Sequence, residues 1–173
     1  MRLIHLPTFW TIFLDILAWG IIQTMVGWLG MHLPKALIQP SRFLFQTFVW
    51  EKDGRIYQAL FMVKSWKGNL PYGGSLFQSR FTMRTLGEVS VNHIDRWILE
   101  TCRSELTHWL AILPAALFFF WNETWVGWVM VIYALIFNLP LIVVQRYNRP
   151  RLRKMLKVLD CQKQTAYHRF DKN

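Results

Sequence analysis

Acidic side chains are scarce in this chain: ten Asp and Glu stand against twenty Lys and Arg, a formal charge of +10 over 173 residues. Such an excess selects an anionic neighbour, either nucleic acid or anionic lipid. No RNA- or DNA-binding motif occurs, so no nucleic-acid partner is expected and lipid remains. Cysteine is scarcer still. Cys102 and Cys161 are the only two, which excludes a disulfide framework and matches no zinc spacing. Repeats and low-complexity tracts are absent as well. What is abundant is apolar and aromatic: 53% of residues are hydrophobic and 16% aromatic, with ten Trp and thirteen Phe. A soluble interior of this size has too little room for that surface, whereas Trp and Tyr favour the headgroup level of a bilayer. The length suits one compact membrane unit.

Three segments carry the membrane signal. The first runs from Phe9 to Leu29 and contains Asp15 and Gln23; about 20 residues cross about 30 Å of hydrocarbon as a helix. A cleaved signal peptide competes, because Arg2 precedes the run. The run is long for a signal core and no small-x-small site follows, which favours a retained span. The second segment, Leu106 to Trp121, is interrupted by Pro114; the third, Trp125 to Val144, holds Asn138 and Pro140. Only Asn122-Glu123-Thr124 separates them, so an antiparallel helical hairpin is expected. Both prolines should kink their helices, which membrane helices tolerate.

Residues 31–105 hold ten Lys and Arg, residues 146–173 hold nine, and the hairpin turn has none. The positive-inside rule then places the middle region and the C-terminus in the cytoplasm. The expectation is an all-α integral protein of the cell membrane with about three transmembrane helices. It forms a single domain over 1–173: a span at 9–29, a cytoplasmic and interfacial region at 31–105, a transmembrane hairpin at 106–144 and a basic cytoplasmic tail at 145–173. Within the middle region, 42–50 and 57–66 mix bulky apolar residues with Arg and Lys and suit interfacial helices. Asn69 to Gly74 is a turn cluster. A helix is expected from Leu86 to Thr107, with Val89, Ile94, Trp97, Ile98 and Cys102 on one face. Leu152, Met155, Leu156 and Leu159 give the tail a basic amphipathic helix on the inner leaflet.

Ionisable groups at membrane depth are costly and so mark function. On a helix, Glu105 and His108 are three apart and share a face, with the carboxylate placed to hold the imidazole as a general base. The opposing reading is a boundary ion pair that snorkels to the interface. Carboxylate-bridged di-iron sites use two Glu-x-x-His motifs. One copy occurs here, and His93, Asp95 and Glu100 complete no established ligand set, so no metal is expected. A turn centred near Glu123 sets position 108 opposite 138 and position 100 opposite 146. Asn138 then serves as an interhelical hydrogen bond or as an oxyanion donor. Arg146 and Arg149 fall near Glu100 and Glu105, as positive-inside anchors or as a phosphate- or carboxylate-recognising pair. Asn148, Glu100 and Arg103 join them in the expected substrate-binding set. Asp15 needs a partner or a water path, and Gln23 is expected to bond another helix.

Glu105-Leu-Thr-His108-Trp109-Leu-Ala-Ile-Leu-Pro114, Tyr133-Ala-Leu-Ile-Phe-Asn138-Leu-Pro140 and Ile142-Val-Val-Gln145-Arg146-Tyr147-Asn148-Arg149-Pro150-Arg151-Leu152 together resemble the glycosyl-4,4'-diaponeurosporenoate acyltransferases, which complete staphyloxanthin-type carotenoids. Fainter echoes lie at Trp19, Gln23, Gly30, Pro34, Glu51-Lys52-Asp-Gly54 and Trp66-Lys67; Asp15 and Cys102 fall outside the pattern. The resemblance implies transfer of a fatty acyl group to the glucose C6 hydroxyl of a glycosylated carotenoid. It implies acyl-CoA or acyl carrier protein as donor, no bound cofactor, and association with other pigment-forming enzymes. His108 as base, Glu105 as its orienter and Asn138 as oxyanion donor fit that chemistry. The His-x4-Asp motif of glycerolipid acyltransferases is missing. The alternatives are a non-catalytic lipid-binding or scaffold subunit and an acyltransferase for another glycolipid.

Overall fold

The computed structural model describes residue 4, residues 7–69 and residues 91–170. All regular structure among them is helical: α1 (Thr8–Met31), 3-10 turns at Phe43–Phe45 and Val49–Gly54, α2 (Arg55–Phe61), α3 (Val63–Trp66), a 3-10 turn at Lys67–Asn69, α4 (Val91–Ile112), a 3-10 stretch at Leu113–Phe120, and α5 (Thr124–Phe170). Most of the expected turn at 69–74, and Val89 with the start of the helix expected from Leu86, lie outside the described residues. Contacts group the chain into two units, 1–38 with 102–143 and 39–101 with 144–173.

Among the described residues, two helices are long and apolar enough to cross a membrane, α1 and the Thr124–Cys161 part of α5. Only 17% and 22% of their apolar windows are buried. Phe9 is 71% exposed and Ile136 62%. Water would not tolerate so much contiguous apolar surface, which points to membrane association. Thirty-eight helical residues extend about 57 Å, well beyond a hydrocarbon core of about 30 Å. The basic residues from Arg146 onward occupy the excess.

Pro114 coincides with the end of α4. A proline lacks the N–H that continues the ladder, and at Leu113 the α-helix gives way to the tighter 3-10 form. Pro140 does not break α5, which continues through it and through Pro150.

In the first unit Ile22, Val26, Ala111 and Phe118 form the core, packed by Ala18, Trp19, Leu110, Trp121 and Met130. Trp19 stacks on Phe118 at 4.8 Å and donates its indole N–H to the Met130 sulfur at 3.3 Å. At Gly30 α1 lies close against α4: a Cβ there would lie 2.8 Å from the Thr107 Cγ2. Gly30→Ala is therefore expected to destabilise by about 1–3 kcal/mol through overpacking. A thermal melt of the Gly30→Ala/Thr107→Ala double variant should recover part of that loss. Arg103 closes the other side of this contact, donating to the carbonyls of Gly30, Met31 and Leu33 at 3.2, 2.9 and 3.2 Å. Gly30 and Met31 lie in the last turn of α1, at its negative end, and Leu33 follows it. Gln23, expected to bond another helix, instead lies on an exposed side of α1.

In the second unit Leu152, Leu156 and Leu159 pack on Ile94, Trp97 and Ile98. Of the four residues expected on the tail's apolar face, these three pack on protein and Met155 is exposed. The tail continues α5 without a break.

Candidate functional site

The first unit builds its polar centre from α4 and α5. Asn138 is buried and donates an amide hydrogen to the Ala134 carbonyl, one turn back, at 2.8 Å. That bond turns its oxygen outward, where it stands 3.0 Å from His108 Nδ1. An amide oxygen only accepts, so Nδ1 carries the hydrogen and the neutral ring keeps its lone pair on Nε2. Asn138 thus offers His108 an acceptor rather than an N–H, and its oxygen favours the tautomer with hydrogen on Nδ1. Glu105 is fully buried one turn earlier on α4.

A second polar group lies where α1 meets the hairpin turn. The buried Asp15 carboxylate accepts from the Trp121 indole at 2.8 Å and the Asn122 amide at 2.7 Å. These are the partners its depth in a span requires. Beside it opens a cavity of about 780 Å³ with walls that include Asp15, Trp19, Trp125, Met130 and Tyr133. Tyr133 precedes Asn138 by five residues, about 7.5 Å along the helix.

The remaining residues of the expected binding set gather in the second unit with partners of their own. Arg149 is 2% exposed. It donates to the Thr101 hydroxyl at 3.1 Å, the Thr101 carbonyl at 3.2 Å and the Phe45 carbonyl at 3.2 Å. Arg146 pairs with Glu51 at 2.5 Å and donates to the Leu44 carbonyl at 2.6 Å. Asn148 accepts from Lys67 at 3.2 Å. Glu100 is half-buried in the same unit. These arginines hold the middle segment to α5, a role that charge counting did not reveal.

Glu51 organises that segment. It is 1% exposed and also accepts the Tyr57 hydroxyl at 2.7 Å and the Phe48 N–H at 3.2 Å. Lys52, Asp53 and Gly54 follow it, all left-handed, with φ of 47°, 56° and 78°. A Cβ at Gly54 would meet the Tyr147 carbonyl at 3.2 Å, so only glycine closes this turn without strain. Burial first, and then the bond to Glu51, push the Tyr57 phenol well above its ordinary value. The folded state therefore keeps a proton that the unfolded chain releases above about pH 10. The stability linked to Tyr57 is complete below that pH and falls as pH rises past it. Denaturant titrations should show a shallower alkaline fall for Tyr57→Phe.

Among the described residues no group of three His, Cys, Asp or Glu side chains is placed to hold a metal ion.

A family model described as glycosyl-4,4'-diaponeurosporenoate acyltransferase matches residues 40–158. Proteins of that name from Staphylococcus aureus strains N315 and USA300 are 36% identical to this chain, over 149 and 151 residues. The matches cover 86% of this chain and 90% of each relative. No solved structure matches. The chain belongs to the glycosyl-4,4'-diaponeurosporenoate acyltransferase family and is an enzyme that transfers acyl groups.

Proposed function

We propose that the protein esterifies the glucose C6 hydroxyl of a glycosylated carotenoid with a fatty acyl group carried as a thioester on coenzyme A or acyl carrier protein. Beyond family membership, the observation that carries this reading is the His108–Asn138 pair. It leaves Nε2 free to accept a proton inside an apolar unit. His108 Nε2 takes the hydroxyl proton as the alcohol oxygen attacks the thioester carbon. The tetrahedral oxyanion collapses by breaking the C–S bond, and the imidazolium returns the proton to the leaving thiolate. Asn138 and Glu105 act as positioning residues. The cavity bounded by Trp19, Trp125 and Tyr133 suits an apolar chain. Three spans, with the basic middle region and C-terminus in the cytoplasm, would set this chemistry on the side where acyl thioesters occur.

The test is reconstitution. Protein in liposomes receives glucosylated carotenoid and either acyl-CoA or acyl carrier protein loaded with the same chain, and products are read by lipid mass spectrometry. A sugar ester at C6 is expected with one donor. Acylation of a different glycolipid in a lipid extract, with the carotenoid untouched, would redirect the acceptor.

A further inference from the structure

The second unit treats its cations unequally. Arg146 has Glu51 and Lys154 has Asp53, but among the described residues Lys67 and Arg151 meet no carboxylate. Both are nonetheless held together. The Arg151 guanidinium lies over the Tyr147 ring at 3.5 Å and donates to the Tyr147 carbonyl. The Lys67 ammonium lies 5.0 Å from the centre of the same ring and donates to the Asn148 oxygen at 3.2 Å. Burial makes the Lys67 ammonium less basic, and the like charges of Arg151 and Lys64 add to the effect.

Two cations gathered on a buried tyrosine repel each other and lose hydration, a cost that an anion between them removes. Asn148 and Arg151 are three apart on α5 and share a face. With its oxygen accepting from Lys67, Asn148 gives its amide N–H groups to no partner among the described residues. A planar guanidinium fork, an ammonium and an amide donor suit a tetrahedral oxyanion. The left-handed turn at Gly54 makes room for the fork: a Cβ there would lie 3.2 Å from the Arg151 Nη1.

We propose that Lys67, Asn148 and Arg151 form a binding site for a phosphate or diphosphate group. That group reaches the site either on a soluble carrier such as coenzyme A or on an anionic lipid head. The site is read by direct binding, so its failure and the failure of the acyl-transfer reading are separate results.

Full-length protein in phosphatidylcholine nanodiscs is melted across a titration of coenzyme A. In a second arm, phosphatidylglycerol replaces part of the lipid at graded mole fractions. At least one arm is expected to raise the melting temperature. The midpoint of that rise should shift by about tenfold or more in Lys67→Met and in Arg151→Met, as loss of a charged hydrogen bond implies. Lys154→Met, which removes an exposed ammonium already paired with Asp53, should respond like the parent. A response to coenzyme A assigns the soluble source, and a response to phosphatidylglycerol assigns the lipid head. If neither arm raises the melting temperature, or if all variants respond equally, the site does not exist. Should Arg151→Met fail to fold, Lys67→Met decides alone, because its side chain ends in a single polar bond.

Discussion

His108→Gln is expected to lower sugar-ester formation by about 10²–10⁴-fold, the range that a general base contributes, while leaving the melting temperature close to that of the parent. Glutamine fills a similar volume and can still reach the Asn138 oxygen with its amide N–H, so packing and the polar contact survive. The basic lone pair does not. The loss should fall on kcat more than on KM, because the proton moves only as the transition state forms. Asn138 separates positioning from packing. Asn138→Leu removes the acceptor that holds hydrogen on Nδ1, freeing the ring to rotate or to exchange tautomers. Asn138→Asp keeps an acceptor at the same place and should recover part of the activity lost in Asn138→Leu. Full activity in His108→Gln, measured by mass spectrometry of the ester, would remove His108 from the mechanism.

The His108–Asn138 pair was legible because a short turn acts as a mirror. Three residues between two apolar runs force an antiparallel hairpin, and reflection about Glu123 carries 108 onto 138. The same reflection cannot say which atom of the amide faces the ring. That depends on the Ala134 carbonyl one turn away. The pairing of Glu51 with Arg146 was not legible, since 95 residues separate them and no periodicity links a short left-handed turn to a helix. The burial of Arg149 was hidden for a related reason. Arginine is rarely buried, so a basic run reads as a surface, yet here its donors hold the backbone at Phe45 and Thr101. The Leu152, Leu156 and Leu159 stripe shows a third limit: helical periodicity reveals an apolar face but not whether lipid or protein covers it.

Glu51→Ala is expected to be the most destabilising single change in the second unit. One buried carboxylate there receives a guanidinium, a phenol and a backbone N–H. Its removal takes the Glu51 counter-charge away from Arg146, and breaking a buried pair from one side costs about 3–5 kcal/mol. In a chain of this size that lowers the melting temperature by about 10 °C. The carboxylate also braces the left-handed turn at Lys52-Asp53-Gly54, whose backbone is unfavourable without support. Limited proteolysis should therefore cut between α2 and the preceding 3-10 turns sooner in the variant. Glu51→Gln keeps the shape and one acceptor oxygen, so its loss should be smaller. In a double-mutant cycle, Arg146→Met should cost less on a Glu51→Ala background than on the parent, because the Glu51 bond it would break is already gone there. Asp53→Asn is the contrast. Its bond to Lys154 lies in solvent, with both side chains more than half exposed, and water screens such pairs. An Asp53→Asn melt that matched Glu51→Ala would show that the turn itself, and not the buried charge, carries the stability.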